Sequence, residues 1–143
     1  MKIAIGSDHG GFQLKKELLR FLKQQKLKVK DYGTYSSESC DYPKYAYSVA
    51  RAVASKKANK GILICKSGIG NSIVANKVKG VRAALSYNIK AAKLSRKHND
   101  SNVLVLGSLF TNISKSKKIV KAWLSSEFEG GRHLRRVKQI ERI

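Results

Sequence analysis

The sequence predicts an α/β fold in which helices cover both faces of a parallel sheet. Short apolar runs alternate with segments of helical periodicity along the whole chain, the pattern of consecutive strand–helix units. Two runs, residues 62–64 and 103–106, are apolar at every position, as in strands buried on both faces. Because the chain has 143 residues, we expect a single domain over residues 1–143.

Each predicted strand is rich in apolar residues and is bounded by polar or turn-forming residues. The first ends in Asp8-His9-Gly10-Gly11, and the third ends at Cys65, before a glycine turn. The second alternates apolar side chains with lysines, as in a strand near a sheet edge. The strands are expected over residues 2–7, 27–31, 62–64, 81–85 and 102–106.

Helices are expected where apolar residues recur at intervals of three and four. Leucine repeats every four residues from Leu14 to Leu22, and Pro43 stands where the first turn of the next helix tolerates its missing N–H. After Gly130-Gly131, an apolar face predicts a C-terminal helix from about residue 132. Because five helices already cover the sheet, we expect this face to pack on a partner subunit. The other helices are expected near residues 72–77, 88–97 and 119–124.

The glycine-rich ends of strands one and three predict the place of the functional site. In open parallel sheets, ligands bind beyond the carboxyl ends of the strands, where the strand order reverses. We therefore expect strands one and three to be neighbours, with the site between Asp8-His9-Gly10-Gly11 and the loop after Cys65.

The formal net charge of +21 raises the question of a polyanionic partner. The 22 lysines and eight arginines include no basic stripe interleaved with aromatic residues, and the lysines are scattered. A solvated lysine-rich surface is therefore favoured over specific nucleic-acid binding, and a polyanion-binding scaffold is the alternative from another functional class. Only Arg132, Arg135 and Arg136 are crowded together.

The chain has no apolar run that could span a bilayer, and its first residues do not resemble a secretory leader. Its two cysteines, Cys40 and Cys65, form neither a C-x-x-C pair nor a disulfide framework. We therefore expect a reduced, cytoplasmic protein without a membrane partner.

Cys65 is the first candidate for chemistry. A free cysteine is often a small buried hydrophobe, but this one faces the amides of a glycine turn beside Lys66, surroundings that favour the thiolate. A Cys-x5-Arg phosphatase loop is excluded, since Asn71 occupies the arginine position. A dinucleotide site is weakly supported, because no G-x-G-x-x-G follows the first strand.

The three histidines, His9, His98 and His133, lie at predicted element ends among polar or glycine neighbours. Each could be structural, but histidine transfers protons near neutral pH, and the shared placement favours function for at least two. Metal binding is less favoured, because no two histidines have ligand spacing in the sequence and carboxylates are few.

Five motifs occur in order along nearly the whole chain: Gly6-Ser7-Asp8-His9-Gly10-Gly11-Phe12, Asp41-Tyr42-Pro43, Gly61-Ile62-Leu63-Ile64-Cys65-Lys66-Ser67-Gly68-Ile69-Gly70, Arg96-Lys97-His98-Asn99-Asp100 and Glu129-Gly130-Gly131-Arg132-His133. Together they resemble the ribose-5-phosphate isomerases of type B. The galactose 6-phosphate and allose 6-phosphate isomerases belong to the same superfamily.

The resemblance implies a three-layer α/β/α sandwich with a five-stranded parallel Rossmann-like sheet, assembled as a homodimer or a dimer of dimers. It implies reversible conversion of ribose 5-phosphate and ribulose 5-phosphate through an enediolate, without metal or organic cofactor. It also implies an active site shared between subunits, to which the neighbouring subunit supplies His98 and Asn99.

The resemblance further implies a role for each site residue. Cys65 is the base that moves a proton between C1 and C2, Ser67 exchanges the O1 and O2 protons, and His98, with Asp8 nearby, opens the furanose ring. The other implied contacts are Tyr42 and Asn99 with the sugar, His9, Arg132 and Arg136 with the phosphate, and the backbone amides of Lys66, Gly68, Ile69 and Gly70 with the enediolate.

Three positions depart from the family pattern. Lys66 replaces a frequent glycine, Ser67 replaces a threonine, and Leu109 stands where relatives often carry a phosphate-binding arginine. The hexose 6-phosphates therefore remain alternative substrates.

Overall fold

The computed structural model describes residues Met1–Ile143 and contains one five-stranded parallel sheet. The strand order is β2-β1-β3-β5-β4, so the strands expected to be neighbours, β1 and β3, are paired. The predicted α/β/α fold is confirmed. The strands are β1 (Lys2–Ser7), β2 (Lys28–Asp31), β3 (Lys60–Cys65), β4 (Ala83–Leu85) and β5 (Val103–Gly107).

Helices cover both faces of this sheet, and a single 3-10 turn (His9–Gly11) precedes the first of them. The helices are α1 (Phe12–Gln24), α2 (Tyr42–Ala54), α3 (Ile69–Asn76), α4 (Ile89–Asn99), α5 (Ile113–Ser125) and α6 (Arg132–Ile140). None of them is long and apolar enough to cross a membrane.

The sheet is buried on both sides because its central strands are apolar at nearly every position. Successive side chains of a strand point to opposite faces. Ile62 and Ile64 therefore pack with α1, α4 and α5, whereas Leu63 packs with α2 and α3. These three β3 side chains have no exposed surface. The continuous apolar run thus follows from burial on two faces.

β2, the strand with alternating lysines, lies at a sheet edge as predicted. Several predicted boundaries differ from the structure. β3 spans Lys60–Cys65 instead of residues 62–64, and α5 spans Ile113–Ser125 instead of residues 119–124. The fourth strand begins at Ala83 instead of residue 81, α4 continues to Asn99 instead of ending at residue 97, and α3 begins at Ile69 instead of residue 72. Only the last difference changes the site.

Helix α6 lies outside the two helical layers and packs against α4. Arg82, just before β4, anchors the end of α6 through an ion pair with Glu141. The predicted C-terminal helix is therefore present. Its packing on a partner subunit stays a prediction.

Candidate active site

The carboxyl ends of β1 and β3 lie side by side, as predicted from their glycine-rich loops. β1 pairs with β2 on one side and with β3 on the other, so the chain leaves these two strand ends in opposite directions along the sheet. Asp8 and His9 follow β1 directly, and Cys65 is the last residue of β3. These strand ends thus combine a carboxylate, an imidazole and a thiol.

The loop after Cys65 turns directly into helix α3. Gly68 has a φ of +84°, a left-handed conformation that glycine adopts without steric cost. This turn allows Ile69 and Gly70 to enter the first helical turn, and it explains why α3 begins earlier than predicted. The unpaired N–H groups at the start of a helix, together with its dipole, favour negative charge. The loop therefore presents an anion-stabilising surface beside Cys65.

The Cys65 sulfur is buried beneath this turn. The Gly68 N–H donates a hydrogen bond to Sγ at 3.1 Å. Burial nevertheless raises the pKa of the Cys65 thiol, and the Asp8 carboxylate raises this pKa further, against the opposing effect of the backbone N–H groups of Gly68, Asn71 and Ser67. The expectation that these surroundings favour the thiolate is therefore wrong for the free protein, because the desolvation of a buried anion outweighs the amide hydrogen bonds.

Asp8 and His9 are held in place by backbone groups of neighbouring loops. Asp8 is buried, and its Oδ1 accepts a hydrogen bond from the Gly11 N–H at 3.0 Å. The Nδ1 of His9 accepts from the Cys40 N–H at 3.2 Å. In the neutral ring this bond leaves the proton on Nε2. His9 can therefore donate from Nε2 to an anion while its ring is held by Nδ1.

Tyr42 joins this group because it is the first residue of α2 and its ring lies against the cysteine loop. A Cβ added at Gly70 would be only 2.5–2.7 Å from the Tyr42 ring and hydroxyl. The absence of a side chain at Gly70 therefore permits the close approach. The exposed Lys66 side chain covers Gly10 in the same way, with its Cγ 2.5 Å from a Cβ built there.

Two residues that the sequence analysis gave no role hold the cysteine loop from the β5 side. The Ser108 N–H donates to the Cys65 carbonyl at 2.8 Å, and the Ser108 hydroxyl donates to the Gly10 carbonyl at 2.8 Å. The Tyr87 hydroxyl donates to the Ser67 carbonyl at 3.1 Å. The available signal was the Gly107-Ser108 turn at the end of β5, the neighbour of β3. These bonds fix the loop without occupying its amide surface.

His98 and Asn99 lie at the opposite edge of the sheet. Helix α4 runs from the carboxyl end of β4 back to the amino end of β5, so its last turn precedes Val103. Cys65 pairs with Gly107, at the other end of β5. The four residue steps from Val103 to Gly107 span about 13 Å. Within one chain, His98 is therefore separated from both Cys65 and Asp8 by at least the length of a strand.

Arg132 and Arg136 lie at the same edge as His98. The Glu129 N–H donates to the Lys97 carbonyl at 3.0 Å, which places the start of α6 beside the end of α4. The three side chains implied to bind the phosphate, those of His9, Arg132 and Arg136, are therefore not brought together within one chain. The implied pair of His98 and Asp8 is not brought together either. The reason is that a helix joining parallel strands ends at the amino edge of the sheet. The two groups of candidate site residues occupy opposite ends of the molecule.

A second cluster of titratable side chains surrounds His98. The rings of His98 and His133 stack in parallel, with centroids 4.2 Å apart and planes within 7°. Glu129 Oε2 lies 3.9 Å from His98 Nε2 and 3.7 Å from His133 Nε2. Burial, followed by the charges of His98 and Arg132, lowers the pKa of His133. These three side chains are the group whose donor atoms could hold a metal ion.

Glu129 and His133 belong to a motif of the sequence, but no specific role was predicted for either of them. Their spacing of four residues was the available signal. No two histidines have metal-ligand spacing in the sequence, but in the structure α6 brings His133 against His98.

Comparison with known proteins places this arrangement in a family. Residues 3–140 match the family described as Ribose/Galactose Isomerase. The chain is 50% identical over 142 residues to ribose-5-phosphate isomerase B of Escherichia coli K12, an alignment covering 99% of this chain and 95% of that protein.

Solved structures agree with this result over the whole fold. Ribose-5-phosphate isomerase B of Clostridium thermocellum has a TM-score of 0.98 and 49% identity, covering 99% of this chain and 96% of that one. The Mycoplasma genitalium protein, solved with bound ribulose-5-phosphate, has a TM-score of 0.95 and 45% identity, covering 99% and 94% respectively. The chain therefore belongs to the ribose/galactose isomerase family.

Proposed function

We propose that the protein interconverts ribose 5-phosphate and ribulose 5-phosphate by proton transfer between C1 and C2. One observation carries the proposal: the Cys65 sulfur lies at the carboxyl end of β3, beneath the backbone amides that begin α3. Proton abstraction beside a carbonyl requires a base together with donors for the developing oxyanion. Relatives that are named ribose-5-phosphate isomerase B, one of them with ribulose-5-phosphate bound, support this substrate.

The reaction can be written with these groups alone. The Cys65 thiolate removes the proton from C2 of the open-chain aldose, while the carbonyl oxygen O1 gains a proton from the Ser67 hydroxyl. The amides of the Lys66–Gly70 loop stabilise the charge of the enediolate. Cys65 then returns its proton to C1, and O2 loses its proton to Ser67. The proton taken from C2 is returned to C1 and no electron leaves the sugar, so the step consumes no oxidant or reductant, and we propose it without a metal or organic cofactor.

A second subunit completes the proposed site. His98, Asn99, Arg132 and Arg136 lie at the edge of the sheet opposite Cys65, so they can meet the thiol only from another chain. We propose a homodimer, or a dimer of dimers, in which His98 opens the sugar ring held beside the partner's Cys65. Asn99 would contact the sugar beside Tyr42, and the two arginines would bind the phosphate together with His9.

The exposed apolar face of α6 fits such an assembly. Leu134 and Ile140 are 41% and 48% exposed, and both lie on the helix that carries Arg132 and Arg136. Burial of this face against a partner would be favourable. The two free thiols, Cys40 and Cys65, are compatible with a reducing compartment, and we propose the cytoplasm.

A hexose 6-phosphate is the second candidate substrate, because the family description includes galactose isomerases. Leu109 follows β5 close to the cysteine loop, where its N–H donates to the Lys66 carbonyl at 2.9 Å. Its side chain is 69% exposed and cannot pair with a phosphate. The isomerase reaction is the same for both substrates, and an experiment must decide between a pentose 5-phosphate and a hexose 6-phosphate.

The experiment is a coupled assay of ketose formation from ribose 5-phosphate, allose 6-phosphate and galactose 6-phosphate. We expect the highest kcat/KM with ribose 5-phosphate and its loss in Cys65→Ser, because a hydroxyl is a far weaker base. Cys40→Ser is the matched control and should stay active. A higher kcat/KM with a hexose 6-phosphate would show that ribose 5-phosphate is not the preferred substrate. Full activity of Cys65→Ser would show that the thiol is not the base.

The polyanion alternative is separated by thermal unfolding. A ligand that binds the folded state raises Tm. We expect ribose 5-phosphate to raise Tm more strongly than heparin or DNA at physiological salt. The reverse order would favour a polyanion-binding protein.

A further inference from the structure

Three segments distant from Cys65 bring two imidazoles and a carboxylate together. His98 comes from the last turn of α4, His133 from the first turn of α6, and Glu129 from the loop between α5 and α6. Their donor atoms all lie within 4.8 Å of one another. The isomerase reaction uses only His98 of the three, so the convergence of the other two side chains requires a separate explanation.

The donor set matches the preference of zinc. Three protein ligands of imidazole and carboxylate type, with a fourth position left to water, are a common set for Zn²⁺. Ideal tetrahedral bonds of 2.0–2.2 Å place neighbouring donors about 3.4 Å apart. Glu129 Oε2 is 3.7 Å from His133 Nε2 and 3.9 Å from His98 Nε2. The two Glu129 distances therefore need contraction by a few tenths of an ångström. The two histidine donors lie within 4.8 Å of each other, and the stacked rings must turn so that both nitrogens point at one ion.

The surroundings leave these donor atoms available. Lys97 Nζ approaches the other Glu129 oxygen, Oε1, at 3.3 Å and leaves Oε2 to the histidines. His98 and Glu129 are 38% and 46% exposed, so an ion can enter from solvent. Arg132 and Arg136 oppose a dication electrostatically, which favours a moderate affinity over a permanent structural ion.

We propose that His98, Glu129 and His133 form a binding site for Zn²⁺ at the amino edge of the sheet. The ion would take the ring nitrogen of His98, and so would block ring opening wherever that residue serves the isomerase. This second consequence rests on the proposed function, whereas the binding site does not.

Calorimetric titration of the full-length, chelator-treated protein with ZnCl₂ tests the site. We expect one ion per chain, and at least about tenfold weaker binding in both Glu129→Gln and His133→Gln. Glu127→Gln is the matched control, since this exposed carboxylate two residues away is outside the cluster. Wild-type affinity in both cluster variants, or no binding by the wild type, would overturn the proposal.

Cobalt distinguishes this cluster from a site built on the thiols. Co²⁺ bound by nitrogen and oxygen donors gives visible d–d absorption, whereas a thiolate ligand adds an intense sulfur-to-metal charge-transfer band in the near ultraviolet. We expect the d–d bands without the charge-transfer band, and their weakening in Glu129→Gln. A charge-transfer band that disappears in Cys65→Ser or Cys40→Ser would assign the ion to a cysteine and overturn the proposal.

Inhibition by the ion is measured separately. Zn²⁺ should inhibit conversion of ribose 5-phosphate over the same concentration range as the calorimetric binding, and Glu129→Gln should shift both curves equally. If Zn²⁺ binds without inhibiting the reaction, the proposal that the ion blocks His98 is wrong, whereas the proposal of the Zn²⁺ site is unaffected. Because the titration needs no substrate, a failure of the proposed isomerase activity would not be mistaken for a failure of the metal site.

Discussion

The opposite placement of Cys65 and His98 predicts that two different inactive variants restore activity to each other. In a two-fold symmetric dimer, each site would combine the Cys65 edge of one chain with the His98 edge of the other. A heterodimer of Cys65→Ser and His98→Asn then has one site carrying both substitutions and one site carrying neither. Each homodimer, in contrast, has two defective sites.

The size of the recovery follows from counting sites. Random pairing of equal amounts gives about half heterodimers, each with one intact site of two, so the mixture should show about a quarter of wild-type activity. Heterodimers isolated through two different affinity tags should reach about half. A dimer of dimers gives the same fractions, provided that each site is formed by one pair of chains.

The assay is ketose formation from ribose 5-phosphate after co-expression of the two tagged chains. Cys65→Ser with Ser67→Ala is the matched control: both substitutions lie at the same edge, so no heterodimer site is intact and no gain is expected. A doubly tagged Cys65→Ser/His98→Asn heterodimer no more active than the average of its parents would refute the shared site. It would require His98 to act within its own chain or not at all.

Three further predictions concern proton transfer. Because the pKa of Cys65 is raised, the thiolate is the minor form at neutral pH. The kcat/KM for ribulose 5-phosphate should therefore rise by about tenfold per pH unit up to that pKa. A kcat/KM that stays constant above neutral pH would contradict a thiolate base. Since the Asp8 charge contributes to the raised pKa, Asp8→Asn should move the rising limb to lower pH, whatever it does to the maximum rate. His98→Asn keeps a hydrogen-bonding side chain without the titratable ring. In initial-rate assays this variant should lose far more activity with ribose 5-phosphate, which cyclises, than with ribulose 5-phosphate, which cannot close a five-membered ring. Equal losses with the two substrates would assign His98 to the enediolate step or to binding alone.

Local sequence patterns were sufficient for most of the fold. The apolar run from Ile62 to Ile64 requires cover on both faces of a sheet, and the lysines of β2 require an edge, so the strand environments follow from neighbouring residues. The glycine-rich ends of β1 and β3 likewise predicted their adjacency, which the structure confirms. The start of α3 was missed because Gly68 takes a left-handed conformation that leads directly into the helix, a backbone choice that glycine permits but that its neighbours in the sequence do not require.

The sequence by itself determined the α/β/α class, the cysteine loop and the residues available for chemistry, because each depends on the order and type of nearby side chains. Only the tertiary structure decided which of these residues meet. The return of α4 to the amino edge separates His98 from Cys65, the packing of α6 brings His133 and Glu129 to His98, and burial raises the pKa of the thiol. All three depend on contacts between segments distant in the chain, and on the exclusion of water that those contacts produce.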